Sequence, residues 1–438
     1  MNDSSGSRFI HAEWALLPDG WRQGILFEVD SAGSILSVGP SLNKASDAQL
    51  GVVIPGMINV HSHAFQRRLV GRTQRFSKPN DDFWSWRTRM YAEVDGLTPQ
   101  DQRDGALGLY REMVANGYTT VCEFQYAHGA VSRDNAEIPA LMADSLIGAS
   151  KEVGIRQLLL PVLYQQAGIG EQPPTRDQRS FVLDTRVYLG LMDHLFETYG
   201  GESSVSFGYA PHSLRAVGYD ALSDLLEHRQ DNKPDSPLHI HVSEQVREVN
   251  ECILGTGKRP IEWLYQNFSP NGSWVFIHST HATRDELKMI IKSGATVGLC
   301  PSTEGDLGDG AFPLAEFIQS KGSFGIGTDS NVIVSPVDEL RFIDYQARIL
   351  ARKRNAFAFD GLIGSGTRLY QKALEGGRNA SGQPVGRLET GSFFDLVELS
   401  TDHPLTADRS PDEVLNAYVY SAGKDVIESV WMGGKPVS

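Results

Sequence analysis

The chain has 438 residues, of which 40% are hydrophobic and 21% are charged. This composition is typical of a globular protein, and the length allows one large α/β barrel or two to three average domains. The formal net charge of −14 argues against nucleic acids and anionic membranes as partners.

Both ends of the chain contain short alternating apolar segments separated by Gly, Pro and Ser. One group lies within residues 9–53, and the same pattern returns after residue 394. Antiparallel strands joined by turns are predicted for both groups. The simplest interpretation is a small β-sandwich domain formed by residues 1–56 and 385–438. It would clasp a separate barrel domain at residues 57–384.

The middle of the chain alternates short β-rich apolar runs with longer segments of helical periodicity. Eight strands, most followed by a helix, are what a (β/α)₈ barrel requires, so a TIM barrel is predicted. The predicted strands are Met57–His61, Thr119–Phe124, Gln157–Leu163, Ser204–Tyr209, Leu238–Val242, Trp274–His278, Thr296–Leu299 and Phe324–Gly327. The predicted helices include Gln100–Asn116 with Gly117 as its C-terminal cap, Ile138–Val153, Val182–Tyr199 and Arg284–Ser293.

The first predicted barrel strand ends in the sequence His61-Ser62-His63. Side chains at positions i and i+2 of a strand point to the same face, so the two imidazoles can converge on one metal ion. The next segment, Arg67–Trp86, is long and rich in aromatic residues. We therefore expect it to be a loop that covers the active site.

Other strand ends supply further candidate ligands, because active sites in barrels lie at the C-terminal ends of the strands. The fifth strand ends in His241 with Glu244 three residues later, the sixth ends in His278, and the eighth is followed by Asp329. Four strand ends in barrel order that are all capable of metal or proton chemistry are not expected by chance.

Several residues of the same types are left out of the predicted site. His239 is interpreted as a hydrogen-bonded barrel histidine, and His281 as a loop residue. Trp84 and Trp86 are interpreted as packing or lid residues. Four arginines are expected on the solvated surface: Arg67, Arg68, Arg72 and Arg89.

The strand-end residues resemble the pattern of the amidohydrolase superfamily over nearly the whole chain. The resemblance implies a metal site formed by His61, His63, His241 and Asp329. Members with two metals carry a bridging lysine or glutamate on strand four, where this chain has Tyr209-Ala210-Pro211-His212. One divalent ion per chain is therefore expected, with Zn²⁺ favoured over Fe²⁺ or Mn²⁺, which the same ligands could hold. Superfamily habit and the barrel's size also suggest a homodimer.

Within the superfamily, the closest likeness is to formimidoylglutamate deiminases. It rests on the segments His61–Arg67, Phe83–Arg87, Ala210–Arg215 and His241–Gln245, while Cys122–Tyr126 fits less tightly. The likeness implies hydrolysis of N-formimino-L-glutamate to N-formyl-L-glutamate and ammonia, a step of histidine degradation. It also implies substrate contacts by Gln66, Arg87, Tyr126, His212 and Arg215.

The residue types are consistent with this chemistry. A zinc ion held by three histidines lowers the pKa of its bound water to about 7. Asp329 can ligate the metal and accept that water's proton, and Glu244 can carry a proton to the departing nitrogen. His278 can hydrogen-bond the water or the tetrahedral centre. Each buried substrate carboxylate needs a charged partner, for which Arg87 and Arg215 are the candidates.

Two other functions remain open at this point. A deaminase of a cyclic amidine, such as a purine or pterin base, would favour aromatic stacking and amide donors over two arginines. A non-enzymatic barrel should have lost its ligands.

The cysteines and the N-terminus bear on location. Cys122, Cys252 and Cys300 match no zinc or Cys-x-x-Cys spacing, and residues 1–21 show no signal-peptide pattern. A cytoplasmic protein is expected.

Overall fold

A computed structural model of the chain describes residues 6–41, 45–74, 79, 81–129, 137–361 and 363–437. Its β-strands are β1 (Arg8–Leu17), β2 (Gly20–Val29), β3 (Ile35–Pro40), β4 (Ala48–Pro55), β5 (Met57–Ser62), β6 (Tyr118–Gln125), β7 (Arg156–Leu163), β8 (Val205–Phe207), β9 (Ala210–Pro211), β10 (Leu238–Val242), β11 (Trp274–His278), β12 (Thr296–Leu299), β13 (Ser323–Ile326), β14 (Leu396–Leu399), β15 (Ile427–Met432) and β16 (Lys435–Pro436).

Helices follow most of the central strands, as the alternating sequence pattern predicts. They are α1 (Phe83–Val94), α2 (Pro99–Ala115), α3 (Glu137–Val153), α4 (Thr185–Tyr199), α5 (Tyr219–Asn232), α6 (Val246–Thr256), α7 (Pro260–Asn267), α8 (Arg284–Ser293), α9 (Pro301–Leu307), α10 (Leu314–Gln319), α11 (Pro336–Ala351), α12 (Ser365–Ser381) and α13 (Pro411–Ala417). Short 3₁₀ helices lie at Ala64–Leu69, Arg176–Gln178 and Gly423–Val426, and a π-helical turn at Tyr418–Ala422.

Strands β5 to β13 form the parallel barrel. They pair in the order β10-β11-β12-β13-β5-β6-β7-β8, and β9 also pairs with β7. A parallel bridge between Tyr209 and Leu238 closes the ring. Every residue of β5, β6 and β7 is buried, as expected for strands covered on both faces. The predicted fold class is therefore confirmed.

The terminal strands form a second, seven-stranded sheet in the order β16-β15-β14-β4-β1-β2-β3. Its apolar side chains make a separate small core that includes Phe27, Val53 and Phe394. The prediction of purely antiparallel strands is wrong in one place, because β1 and β4 pair in parallel. Both termini contribute to this one sheet, whereas the boundaries at residues 56 and 385 stay a prediction.

Local signals explain where several elements begin and end. Thr98 and Asp101 form a capping box at the start of α2, and Gly117 follows the helix with a φ of +95°. Helix α4 begins at Thr185, later than predicted, because the carboxylate of Asp184 caps it by accepting from Arg186 N. The predicted fourth strand is interrupted between β8 and β9.

The prediction of a covering loop at residues 67–86 is wrong at both ends of this segment, which are helical. The 3₁₀ helix Ala64–Leu69 lies at its start, and α1 begins at Phe83, so Arg87 lies on a helix. Residues 75–78 and 80 of this segment lie outside the described residues. Among the residues that are described, no helix combines the length and apolar character needed to cross a bilayer.

Candidate active site

The four predicted metal ligands come together at the C-terminal end of the barrel. His61 Nε2 lies 3.0 Å from His241 Nε2 and 3.7 Å from Asp329 Oδ1, and His63 Nε2 lies 3.2 Å from the same carboxylate oxygen. All four side chains are buried. His61 lies in β5 and His63 directly follows it in an extended conformation, so the alternation of the strand brings both to the same face.

The histidines of this cluster fit a divalent cation. His63 donates from Nδ1 to the carbonyl of Phe124 at 2.8 Å, and His241 donates from Nδ1 to the carbonyl of His212 at 3.0 Å. Because a carbonyl can only accept, each Nε2 lone pair faces the cluster centre. Burial, and then the neighbouring histidines, lower the pKa of His61 and His241 well below the ordinary value. Both are therefore neutral, which is the form that binds metal.

The backbone turns sharply where several of these residues follow their strands. Ser243, His278 and Asp329 have φ values of +53°, +68° and +47°, in the left-handed region that residues other than glycine rarely adopt. The amides of Thr328 and Asp329 both donate to the carbonyl of His61, at 3.0 and 2.9 Å. These bonds hold the segment after β13, with its left-handed residue Asp329, against β5. Backbone strain of this kind is typical of functional sites.

His278 lies beside the same cluster and faces two carboxylates. Its Nε2 is 3.6 Å from Asp329 Oδ2 and 3.9 Å from Glu244 Oε1, while Nδ1 donates to Glu304 Oε1 at 3.2 Å. Burial lowers the pKa of His278, but the bond to Glu304 and the charges of Glu244, Asp329 and Glu304 outweigh it and raise it to about 10. Among these protein groups His278 is therefore protonated at Nε2.

Glu244 is paired with Arg215, a contact that the sequence did not predict. Arg215 Nη2 lies 2.9 Å from Glu244 Oε2, and both residues are 5% exposed. Burial opposes the charge on Arg215, but the charges of Glu248 and Glu244 outweigh it and raise the pKa of the guanidinium. Arg215 Nε has no hydrogen-bond partner among the described residues. A permanent buried cation thus retains an unused donor.

The five predicted substrate-binding residues line one cavity next to the cluster: Gln66, Arg87, Tyr126, His212 and Arg215. Gln66 Nε2 donates to the Tyr126 hydroxyl at 2.6 Å, while Gln66 Oε1 is buried without a partner among the described residues. Unused polar atoms of this kind, buried beside a cavity, are the usual sign of a ligand site.

Two family models match this chain. One describes the amidohydrolase family and matches residues 52–437, and the other describes the N-terminal domain of formimidoylglutamate deiminase and matches residues 7–51. The chain belongs to the amidohydrolase family. The family predicted from the strand ends is thereby confirmed.

Individual relatives agree with this membership. A formimidoylglutamate deiminase from Pseudomonas aeruginosa is 40% identical, covering 97% of this chain and 93% of its own. An amidohydrolase structure from Brucella melitensis matches with a TM-score of 0.89 and 37% identity, covering 98% of this chain and 94% of its own. A 5-methylthioadenosine/S-adenosylhomocysteine deaminase from Natronomonas pharaonis is 29% identical, covering 92% and 86% respectively.

Most residues left out of the predicted site lie elsewhere in the amidohydrolase fold. His239 bonds the carbonyl of Ala380 at 2.9 Å, and His281 lies in the turn after β11. Trp86 lines the cavity, whereas Trp84 packs 4.2 Å from the guanidinium of Arg247.

The surface assignment is wrong for two of the four arginines. Arg67 pairs with Glu112 at 2.7 Å and donates to the carbonyl of Asn331 at 2.5 Å, so it braces the loop after Asp329. Arg89 pairs at 2.5 Å with Asp81, whose side chain is 6% exposed. Arg68 and Arg72 are exposed as expected.

Sequence reasoning missed residues that hold this amidohydrolase site in place. Glu304, which receives the His278 hydrogen bond, lies in the first turn of α9 just after β12. The sequence could have indicated Glu304, because it is an acidic residue shortly after the end of the seventh predicted strand. Asn331 donates from Nδ2 to the carbonyls of His63 and Asp329, each at 3.0 Å. Asn59 bonds both the backbone N and the hydroxyl of Thr328, and only the folded barrel reveals these contacts.

Proposed function

We propose that this amidohydrolase hydrolyses N-formimino-L-glutamate to N-formyl-L-glutamate and ammonia. The similarity to the Pseudomonas aeruginosa formimidoylglutamate deiminase, 40% identity over 97% of the chain, supports the reaction. The observation that carries the substrate class is the buried guanidinium of Arg215, which lines the cavity and whose Nε–H has no partner among the described residues. A buried charged donor needs a hydrogen-bond acceptor, and a carboxylate makes the strongest bond to it.

One divalent cation, zinc, would be held by His61, His63, His241 and Asp329. When bound, such an ion acts as a Lewis acid that makes a water molecule nucleophilic near neutral pH. A single ion is supported by the end of strand four, where Pro211 and the ring of His212 stand in place of a bridging lysine or glutamate.

The reaction replaces one nitrogen of the amidine by oxygen. The water oxygen adds to the amidine carbon, the bond from this carbon to the terminal nitrogen breaks, and the nitrogen leaves as ammonia. Both protons of the water end on the departing nitrogen: Asp329 accepts one and passes it on, and Glu244, which starts as a carboxylate, takes up the other and carries it through Oε1, because Oε2 is held by Arg215. The Nε2–H of His278 donates to the oxygen of the tetrahedral centre.

The remaining cavity residues orient the substrate. Gln66 Oε1 accepts an N–H of the amidine, and Tyr126, whose oxygen already accepts from Gln66, donates its own proton. The ring of His212 packs edge-on against the ring of Tyr126, with their centroids 5.2 Å apart. Arg215 adjoins Glu244, so it binds the α-carboxylate, which is attached to the carbon that bears the retained nitrogen of the amidine. Arg87, on α1, then binds the side-chain carboxylate.

A cyclic-amidine substrate fits this cavity less well. A neutral purine or pterin could offer Arg215 Nε–H only an uncharged ring nitrogen or carbonyl oxygen, and a guanidinium binds such an acceptor more weakly than a carboxylate. The proposed enzyme is a homodimer and is located in the cytoplasm. Both suit a metabolic enzyme of this family.

Glu244→Gln tests the proposed proton transfer. The amide oxygen can still accept from Arg215, so shape and metal content should be unchanged, while kcat falls by about 10²–10⁴. Glu251→Gln is the matched control, because Glu251 lies on α6 in a partly exposed pair with Arg247. Near-normal kcat in Glu244→Gln would show that Glu244 does not carry the proton.

A further inference from the structure

Three residues outside the predicted site form a hydrogen-bonded group beside Arg87. They are Tyr91 on α1, Tyr164 just after β7, and Gln178 in the 3₁₀ helix Arg176–Gln178. Both tyrosines line the active-site cavity together with Arg87. Gln178 and Tyr164 are 1% and 4% exposed, so their polar atoms must be satisfied by neighbours or by a ligand.

The orientation of the Gln178 side chain is fixed by Thr175. The backbone N of Thr175 lies 2.8 Å from Gln178 Oε1, and the Thr175 hydroxyl lies 3.1 Å from the same atom. A backbone N–H can only donate, so this atom of Gln178 must be the amide oxygen. The amide nitrogen therefore points to the tyrosines, 2.6 Å from Tyr164 Oη and 3.3 Å from Tyr91 Oη.

This arrangement determines the direction of the tyrosine hydroxyls. An amide nitrogen can only donate, so both hydroxyl oxygens accept from Gln178, and Tyr91 also accepts from Arg87 Nε. Each tyrosine still carries one O–H proton to donate. The two oxygens are 3.5 Å apart, so at most one proton can be used between them. At least one O–H donor is left for whatever occupies the cavity.

We propose that Tyr91 and Tyr164, oriented by Gln178, form with Arg87 the subsite for the side-chain carboxylate of the substrate. This inference rests on the proposed function and extends it to substrate specificity. The tyrosine O–H groups and the N–H groups of the positively charged Arg87 are all donors. They therefore match a carboxylate, whose two oxygens only accept. A carboxamide of the same shape would bring its own NH₂ group against these donors. The subsite therefore distinguishes glutamate from glutamine side chains.

Gln178→Glu reverses the polarity of the group without changing its shape. The new carboxylate would accept both hydroxyl protons and withdraw them from the cavity. We expect KM for N-formimino-L-glutamate to rise about 10- to 100-fold with kcat nearly unchanged. KM for N-formiminoglycine, which lacks the side-chain carboxylate, should not change. The wild type should also prefer N-formimino-L-glutamate over N-formimino-L-glutamine.

Gln165→Glu is the matched control. Gln165 lies just after β7, next to Tyr164, and is partly buried, but its amide donates to the Thr185 hydroxyl at 2.6 Å and not to the tyrosines. The KM of the Gln165→Glu variant for N-formimino-L-glutamate should stay near the wild-type value. Tyr91→Phe and Tyr164→Phe each remove one hydroxyl, so both should raise KM for the glutamate substrate. In the Tyr91→Phe/Tyr164→Phe double variant, Gln178→Glu should add little further. Thermal denaturation of each variant verifies folding.

Two results would overturn this assignment. One is an equal rise of KM for both substrates in Gln178→Glu, and the other is an unchanged KM for the glutamate substrate in both single tyrosine variants. A wild type that releases no ammonia from either substrate would contradict the proposed function instead. In that case calorimetric binding of glutarate and of its monoamide to the zinc-loaded protein tests the subsite. Preference for glutarate that Gln178→Glu abolishes supports the subsite, and equal binding of both ligands refutes it.

Discussion

Replacing Arg215 by Met should remove most activity on N-formimino-L-glutamate while leaving the metal site intact. The Arg215 guanidinium is 5% exposed and lies 2.9 Å from Glu244, so its removal leaves Glu244 and the substrate carboxylate without this buried cation. Truncating one side of a buried charge pair costs roughly 2–5 kcal/mol. In kcat/KM this is a drop of about 30-fold to several thousand-fold. Steady-state ammonia release and elemental analysis of the purified variant measure the two expectations.

Comparison with Arg87→Met and with a shorter substrate assigns the two carboxylates. On N-formiminoglycine, Arg215→Met should lose as much activity as on the full substrate, because the α-carboxylate is present in both. Arg87→Met should lose activity on N-formimino-L-glutamate and lose little on N-formiminoglycine. If the two variants exchanged these patterns, the assignment of the arginines would be reversed. If wild type used both substrates equally well, the dicarboxylate account itself would be refuted.

Three further changes test the framework of the site and of the fold. His241→Ala should abolish both bound metal and turnover, and metal analysis that finds a full complement would contradict its assignment as a ligand. Glu304→Gln should keep the metal but lower kcat, because the amide binds protonated His278 more weakly; unchanged kcat and pH profile would exclude this positioning role. Asp395→Asn should reduce the free energy of unfolding by roughly 3–5 kcal/mol, because it leaves the buried Arg156 without its charged partner. Chemical denaturation measures that loss, and a loss near zero would argue against the pair.

The barrel could be predicted because its signals are local. Apolar runs mark the strands, and a period of two places His61 and His63 on one face. The strand ends could then be compared in order, because every parallel strand of a barrel ends at the same face. The grouping of His241 and Asp329 with the first pair required no knowledge of the loops.

The helix α1 escaped prediction although its signals are present in the sequence. Asp82 caps it, with its carboxylate accepting from Ser85 N, and the buried residues Phe83, Met90 and Val94 follow a helical spacing. Trp84 and Trp86 obscured this pattern, because aromatic residues all around a short segment hide its apolar face. The sequence pattern therefore predicts a loop up to Trp86 and misses the helix that carries Arg87.

The contacts between distant segments could not be predicted from one sequence. Tyr91 meets Tyr164 and Gln178 across 73 and 87 positions of the chain, and neither separation follows from strand or helix periodicity. The pair formed by Arg215 and Glu244 is similar, because two strand ends must close into the barrel before the side chains meet.

The most direct test of the central claim is ammonia release from N-formimino-L-glutamate by the zinc-loaded protein, measured beside adenosine, guanine and a pterin. The account predicts efficient turnover of the formimino substrate, with kcat/KM of about 10⁴ M⁻¹ s⁻¹ or higher, and little or no turnover of the cyclic amidines. Ammonia released preferentially from a purine or pterin would contradict it.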